Sequence, residues 1–230
     1  MRKNLVGLFT VVSSALVSIA AWSRLPDRVA VHFAFDGTPN GWGSKAELLL
    51  AGPVLLLVLW GAFAALRHFD PKVRSQAQAV KAEPDAAEAR LEEESAHGGR
   101  QAILLAAMVL LLVAHAAVVA QAAGLLSNPG RPLALAVAGF FIVGGNFMGR
   151  VRPNWVIGIR TPWTLSDDVV WQKTHRLAGR SMVAAGLVLV PLCLLLDARH
   201  LPYALPTLLA LALLPPVVAS YVLWRRRASA

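Results

Sequence analysis

Six stretches of this chain are each long and apolar enough to cross a lipid bilayer, or nearly so, and nothing constrains its fold more. A spanning helix needs about 20 mostly apolar residues, because ~1.5 Å of rise per residue must cover ~30 Å of hydrocarbon. The stretches run approximately Asn4–Trp22, Ala46–Leu66, Gln101–Leu126, Pro132–Met148, Arg180–Leu196 and Tyr203–Trp224, the fourth and fifth being the shortest. Hydrophobic residues make up 57% of the 230 and charged residues only 15%, against about 45–50% and about 25% in an ordinary soluble domain. A formal charge of +9 suggests nucleic acid or anionic lipid as partner. The apolar content decides for membrane lipid, without direct nucleic acid binding. The expected fold is all-α and membrane-integral: a six-transmembrane-helix bundle with a small β-rich outer loop and a compact non-helical inner loop.

Orientation follows from the basic residues, which gather in cytoplasmic loops near helix ends. With the N-terminus inside, all of the 22 except Arg24, Arg28, Lys45, Arg131 and Arg199 fall on the cytoplasmic side. Both termini are expected there, in a bacterial cytoplasmic (inner) membrane. Trp22, Trp60 and Trp224 at segment ends suit the headgroup region. The opening Met1-Arg2-Lys3 and its apolar run also resemble a secretory signal, but the run is long for one. The first helix is expected to be retained.

Three loops are more than connectors. In the outer loop Leu25–Lys45, Val29, Val31, Phe33 and Phe35 alternate onto one strand face with His32 on the other. Turn signals follow at Asp36-Gly37 and Asn40-Gly41. The loop reads either as a β-rich cap over the bundle or as an ordinary structured loop with a satisfied surface His32. The inner tract Arg67–Arg100 carries Glu88, Arg90, Glu92, Glu93 and Glu94 among alanines. It reads as a solvated, partly helical linker ended by Gly98-Gly99, or else as a docking site for a cytoplasmic protein. Residues 1–66, 67–100 and 101–230 thus form a two-helix unit, a linker and a four-helix unit. In the second inner loop Pro153, Gly158 and Pro162 forbid a continuous helix. Non-helical backbone at that depth must be sheltered by protein or water. Helix then restarts with Thr164 as N-cap and Asp167 reaching back, and Trp171 and His175 share a face four residues apart.

Reactive constellations are absent from the sequence. The six histidines form no HxxxH pair, Cys193 stands alone, and no Walker loop, GxGxxG or GxSxG occurs. Asp167 and Asp168 diverge by ~100° on a helix, which disfavours a shared-proton dyad. No metal, cofactor or catalytic residue is expected, and no enzyme. His115 stands out within the third span, with Asn146 as its expected partner from another helix. Two readings stand for it: an interhelical hydrogen bond, or part of a ligand or proton path.

The ordered set Gly145-Asn146, Pro153-Asn154, Gly158-Ile159-Arg160-Thr161-Pro162-Trp163-Thr164-Leu165, Val170-Trp171-Gln172-Lys173-Thr174-His175-Arg176 and Gly179 resembles the signature of the SdpI family. The outer Leu25-Pro26, His32-Phe33, Gly37, Pro39-Asn40, Trp42 and Lys45 look like the uncharacterised domain that often precedes it. Ala34 stands where that domain usually has Asn. The resemblance implies a bacterial toxin-immunity membrane protein. Such a protein meets a secreted, membrane-active peptide toxin outside and a cytoplasmic transcriptional repressor inside. It marks Asn146, Asn154, Arg160, Pro162, Trp163, Trp171, His175 and Arg176 as the inner element. His32, Phe33, Trp42 and Lys45 mark the outer loop. The rival functions are a small proton-coupled transporter or exporter using His115 and Asn146, and an intramembrane enzyme with His175 or His32 as base.

Overall fold

The computed structural model describes residues 2–33, 38–71, 73, 75, 78, 87–197 and 200–229. Helix α1 (Arg2–Ala21) leads through a short 3-10 turn (Trp22–Arg24) into strands β1 (Arg28–Phe33) and β2 (Pro39–Ser44), which pair antiparallel. Then come α2 (Lys45–Phe69), α3 (Ala87–Ala122), α4 (Gly130–Met148), the single-turn α5 (Pro162–Ser166), α6 (Asp168–Leu195) and α7 (Leu201–Ala228). All but α5 contain a segment long and apolar enough to cross a membrane. In those six segments only 17–39% of the most apolar window is buried inside the protein, so most of their apolar surface faces outward, where hydrocarbon would cover it. The chain is a multi-pass membrane protein with a small two-stranded sheet.

Helix α3 joins two helix groups. It packs against α1 and α2 on one side and against α4 on the other, while α6 lies between α4 and α7. The first group buries Leu56, Leu104 and Met108 in mid-bundle, and Ala21, Leu25, Val29, Leu48, Leu49 and Val119 beneath the hairpin. The second group buries Phe141, Met148, Trp171, Met182 and Ala185 toward one end, and Ala138, Leu189 and Cys193 toward the other. Helices α4 and α6 touch through glycine. A Cβ on Gly145 would lie 2.8 Å from the Gly179 carbonyl oxygen, and one on Gly179 would lie 2.5 Å from that of Gly145. Small residues permit such backbone contact, which stabilises helix pairs where no water drives association.

The structure departs from several of the sequence expectations. Gly98-Gly99 does not end a helix, since α3 runs unbroken from Ala87 into the third span. Its first turns are not wholly solvated: Glu93 and Arg100 form a buried ion pair at 2.9 Å. Asn40-Gly41 is not a turn but part of β2, and a register shift between Ala30 and His32 breaks the expected alternation. Val29 is buried while Val31 is exposed. The Asp36-Gly37 turn, Phe35, Ala34 and much of the tract 67–86 lie outside the described residues.

Candidate functional site

The non-helical segment 149–161, α5 and the first turns of α6 form one element at the end of the bundle opposite the hairpin. Four side chains hold it from inside. Asn154, Thr164 and His175 are wholly buried, and Trp171 is 1% exposed. Asn154 accepts from the Val156 and Ile157 amides at 2.9 and 2.7 Å. Its own amide donates to the Arg152 and Ile157 carbonyls at 2.9 and 3.3 Å. One side chain thus satisfies backbone groups that Pro153 and Gly158 keep out of a helix.

His175 continues the same logic. The Ile159 amide donates to its Nε2 at 3.0 Å, so Nδ1 carries the proton and donates to the Trp171 carbonyl at 2.7 Å. The imidazole stacks on the Trp171 ring, with centroids 3.9 Å apart and planes 21° from parallel. Trp171 Nε1 in turn donates to the Val151 carbonyl at 2.7 Å. Gly158 has φ +111°, a region L side chains rarely adopt, and a Cβ there would collide with the His175 ring. The loop can therefore close only over glycine.

Capping differs by three residues from the expectation. Thr161, not Thr164, is the N-cap of α5, paired in a reciprocal capping box with Thr164. Asp167 does not reach back; it caps α6 by accepting from the Val169 and Val170 amides. Pro162, at N1 of α5, needs no amide proton there. Asp167 also binds Arg227 at 2.8 Å, tying the end of α7 to the start of α6. The Arg227 guanidinium, with the Val170 amide, holds its carboxyl below the usual carboxylate range. Trp163 donates to Ser220 Oγ at 2.8 Å and packs with Tyr221 and Trp224.

Not every expected member joins this network. Arg160 donates to the Trp155 carbonyl and, like Arg176, is exposed. Asn146 is exposed on α4 and does not pair with His115. His115 instead lies between α1, α2 and α3. There Ser18 Oγ donates to the Leu49 carbonyl at 2.7 Å and stands 3.0 Å from His115 Nε2, while Gly52 leaves room for the ring. The expected polar link between the third and fourth spans is thus an interhelical bond among the first three. Asp70 was missed by sequence reading. It accepts from the Trp155 amide at 2.6 Å and anchors the element to the end of α2. An isolated aspartate just after a span carries no signal that could have found it.

At the hairpin end, Val29 and Leu25 enter the core while Trp42 is 58% exposed. His32 Nδ1 lies 2.7 Å from Asn40 Oδ1. Ser44 and Glu47 form a capping box at the start of α2, and Lys45 binds Asp27 at 2.8 Å with its ammonium over the Trp22 ring. No group of three or more His, Cys, Asp or Glu able to hold a metal occurs among the described residues.

Residues 150–220 match the SdpI/YfhL protein family, and residues 9–57 match a domain of unknown function (DUF1648). The chain is 25% identical over 229 residues to the Immunity protein SdpI of Bacillus subtilis (strain 168), an alignment that covers 98% of each chain. No solved structure matches. The two matched regions contain the buried network and the hairpin respectively. Residues 150–220 thus carry the match to the SdpI/YfhL protein family, and the chain as a whole is similar to an immunity protein of that name.

Proposed function

We propose that this protein is a membrane immunity protein, protecting the bacterium that carries it against a secreted, membrane-active peptide toxin. The end-to-end similarity to an immunity protein, covering 98% of both chains, carries the reading. In this reading both termini are cytoplasmic, as the distribution of basic residues favours. The hairpin then faces outward, where Trp42 and the cation-bearing rim of Lys45 and Trp22 meet the arriving peptide. The 149–167 element faces the cytoplasm, where exposed Trp155, Val156 and Arg160 offer a surface to a transcriptional repressor.

Expression in a toxin-sensitive strain lacking its own immunity gene tests the proposal. Survival is the expected outcome, with Trp42→Ala weakening protection while leaving the amount of protein in the membrane unchanged. Undiminished killing, with the wild-type protein verified in the membrane, refutes it. The transporter reading loses its expected His115–Asn146 path, because His115 turns toward Ser18 and Gly52 of the first two helices while Asn146 is exposed on α4.

A further inference from the structure

Beside the Gly145–Gly179 contact, α4 and α6 leave an outward-opening cavity of about 410 Å³ at the same end of the bundle as the 149–167 element. Its polar part is built by Asn146 from α4 and by Arg176 and Arg180 from α6. The two arginines are four residues apart and so share one helix face. A Cβ on Gly149 would lie 3.2 Å from Arg176 Cγ, so the arginine stem lies flat over the end of α4. Neither guanidinium has a hydrogen-bonding or ionic partner among the described residues, and no carboxylate lines the cavity. Its other part is apolar: Val183, Ala184 and Leu187 follow on the next two turns of α6, with Leu187 59% exposed.

We propose that this groove binds an anionic phospholipid, with the phosphate between Arg176, Arg180 and Asn146 and an acyl chain along Val183 and Leu187. Two unpaired cations at the edge of a membrane attract an anion, and guanidinium forks match phosphate oxygens. Basic pockets between spanning helices suit phospholipid headgroups for this reason. The apolar wall distinguishes a lipid from free phosphate, because it continues the site into the hydrocarbon depth. Glycine at 145, 149 and 179 is what makes the groove: side chains there would part the helices or displace the Arg176 stem. The site is separate from the proposed toxin and repressor surfaces and stands whether or not that function holds.

The full chain, purified in a nonionic detergent, is titrated with phosphatidylglycerol, phosphatidylcholine and water-soluble glycerophosphoglycerol. Bound lipid is read by native mass spectrometry and stabilisation by thermal unfolding. Phosphatidylglycerol is expected to form a one-to-one adduct and raise Tm, and phosphatidylcholine to do neither. The soluble headgroup should bind at least about tenfold more weakly, as it lacks the chain that the apolar wall would cover. R176Q/R180Q should lower phosphatidylglycerol affinity roughly tenfold to thirtyfold, with R176K/R180K retaining part of it and Tm in phosphatidylcholine unchanged. Equal binding of the two lipids, or equal binding by the glutamine variant, overturns the proposal. So does a soluble headgroup as effective as the lipid, which would make the groove a free-phosphate site. The wild-type lipid panel decides the matter even if the glutamine variant does not fold.

Discussion

The two ends of the molecule use polar side chains in opposite ways. At the 149–167 end, Asn154, Thr164, Trp171 and His175 are buried, and their hydrogen bonds run inward to irregular backbone. At the hairpin end, His32, Lys45 and Trp42 lie at or near the surface, and their bonds link neighbouring strands or helix ends. Backbone regularity accounts for the contrast. A hairpin pairs its own amides and carbonyls, so its side chains remain free to meet a partner. A glycine- and proline-broken segment cannot, so side chains must satisfy its amides and carbonyls instead. Much of the family signature is thus scaffold, and exposed Arg160, Arg176, Trp155 and Asn146 are the part of that end available to ligands.

The sharpest way to break this comparison is to remove a histidine from each end. His175→Ala leaves the part-buried Ile159 amide without its acceptor and opens a void beside the buried Trp171. About 3 kcal/mol or more of stability should be lost. His32→Ala removes one surface hydrogen bond and should change stability by about 0.5 kcal/mol or less. Thermal or denaturant unfolding in one detergent measures both. Similar losses at the two sites would erase the distinction.

How far this contrast was legible in the sequence depends on the kind of signal. The six spans were plain, because apolar length is a local property and tolerates boundary errors of a few residues. The strand pair was legible from alternation at Val29 to Phe33, yet its register was not, since a bulge beside Val31 leaves no local mark. Trp171 and His175 were expected on one face by spacing alone. That His175 accepts from Ile159 depends on a loop closing back over α6, which only tertiary structure decides. The same holds for His115: its burial implied a partner, but Ser18 was hidden in an apolar helix where serine looks incidental. Thr161 and Thr164 both fit a cap, and Pro162 after Thr161 was the clue that should have favoured the earlier start.

A smaller effect sharpens the comparison inside the buried end. Trp163→Phe keeps the aromatic contact with Tyr221 and Trp224 but removes the donor to Ser220. Ser220 Oγ still donates to the Val217 carbonyl at 2.6 Å, so no orphaned proton results. The expected cost is about 1 kcal/mol, read as a modest fall in Tm. A loss as large as that of His175→Ala would mean the α5–α7 contact carries more of the element than its half-exposed position suggests.

An effect of similar size lies at the Asp167–Arg227 tie, on the rim between buried network and solvent. Asp167→Ala removes an N-cap and should cost about 1 kcal/mol, most of it from the cap, because the ion pair is partly exposed and screened by solvent. Its pH dependence has a definite sign. The folded carboxyl titrates below its unfolded value near pH 4, so the native state favours the charged form. The stabilisation is therefore complete at neutral pH and fades only as pH falls through the folded value. Wild type and Asp167→Ala should differ at pH 7 and draw together as pH falls through the lowered folded value. If the difference instead grew on acidification, the carboxyl would be favoured as the neutral acid in the folded state, and Arg227 could not be its partner.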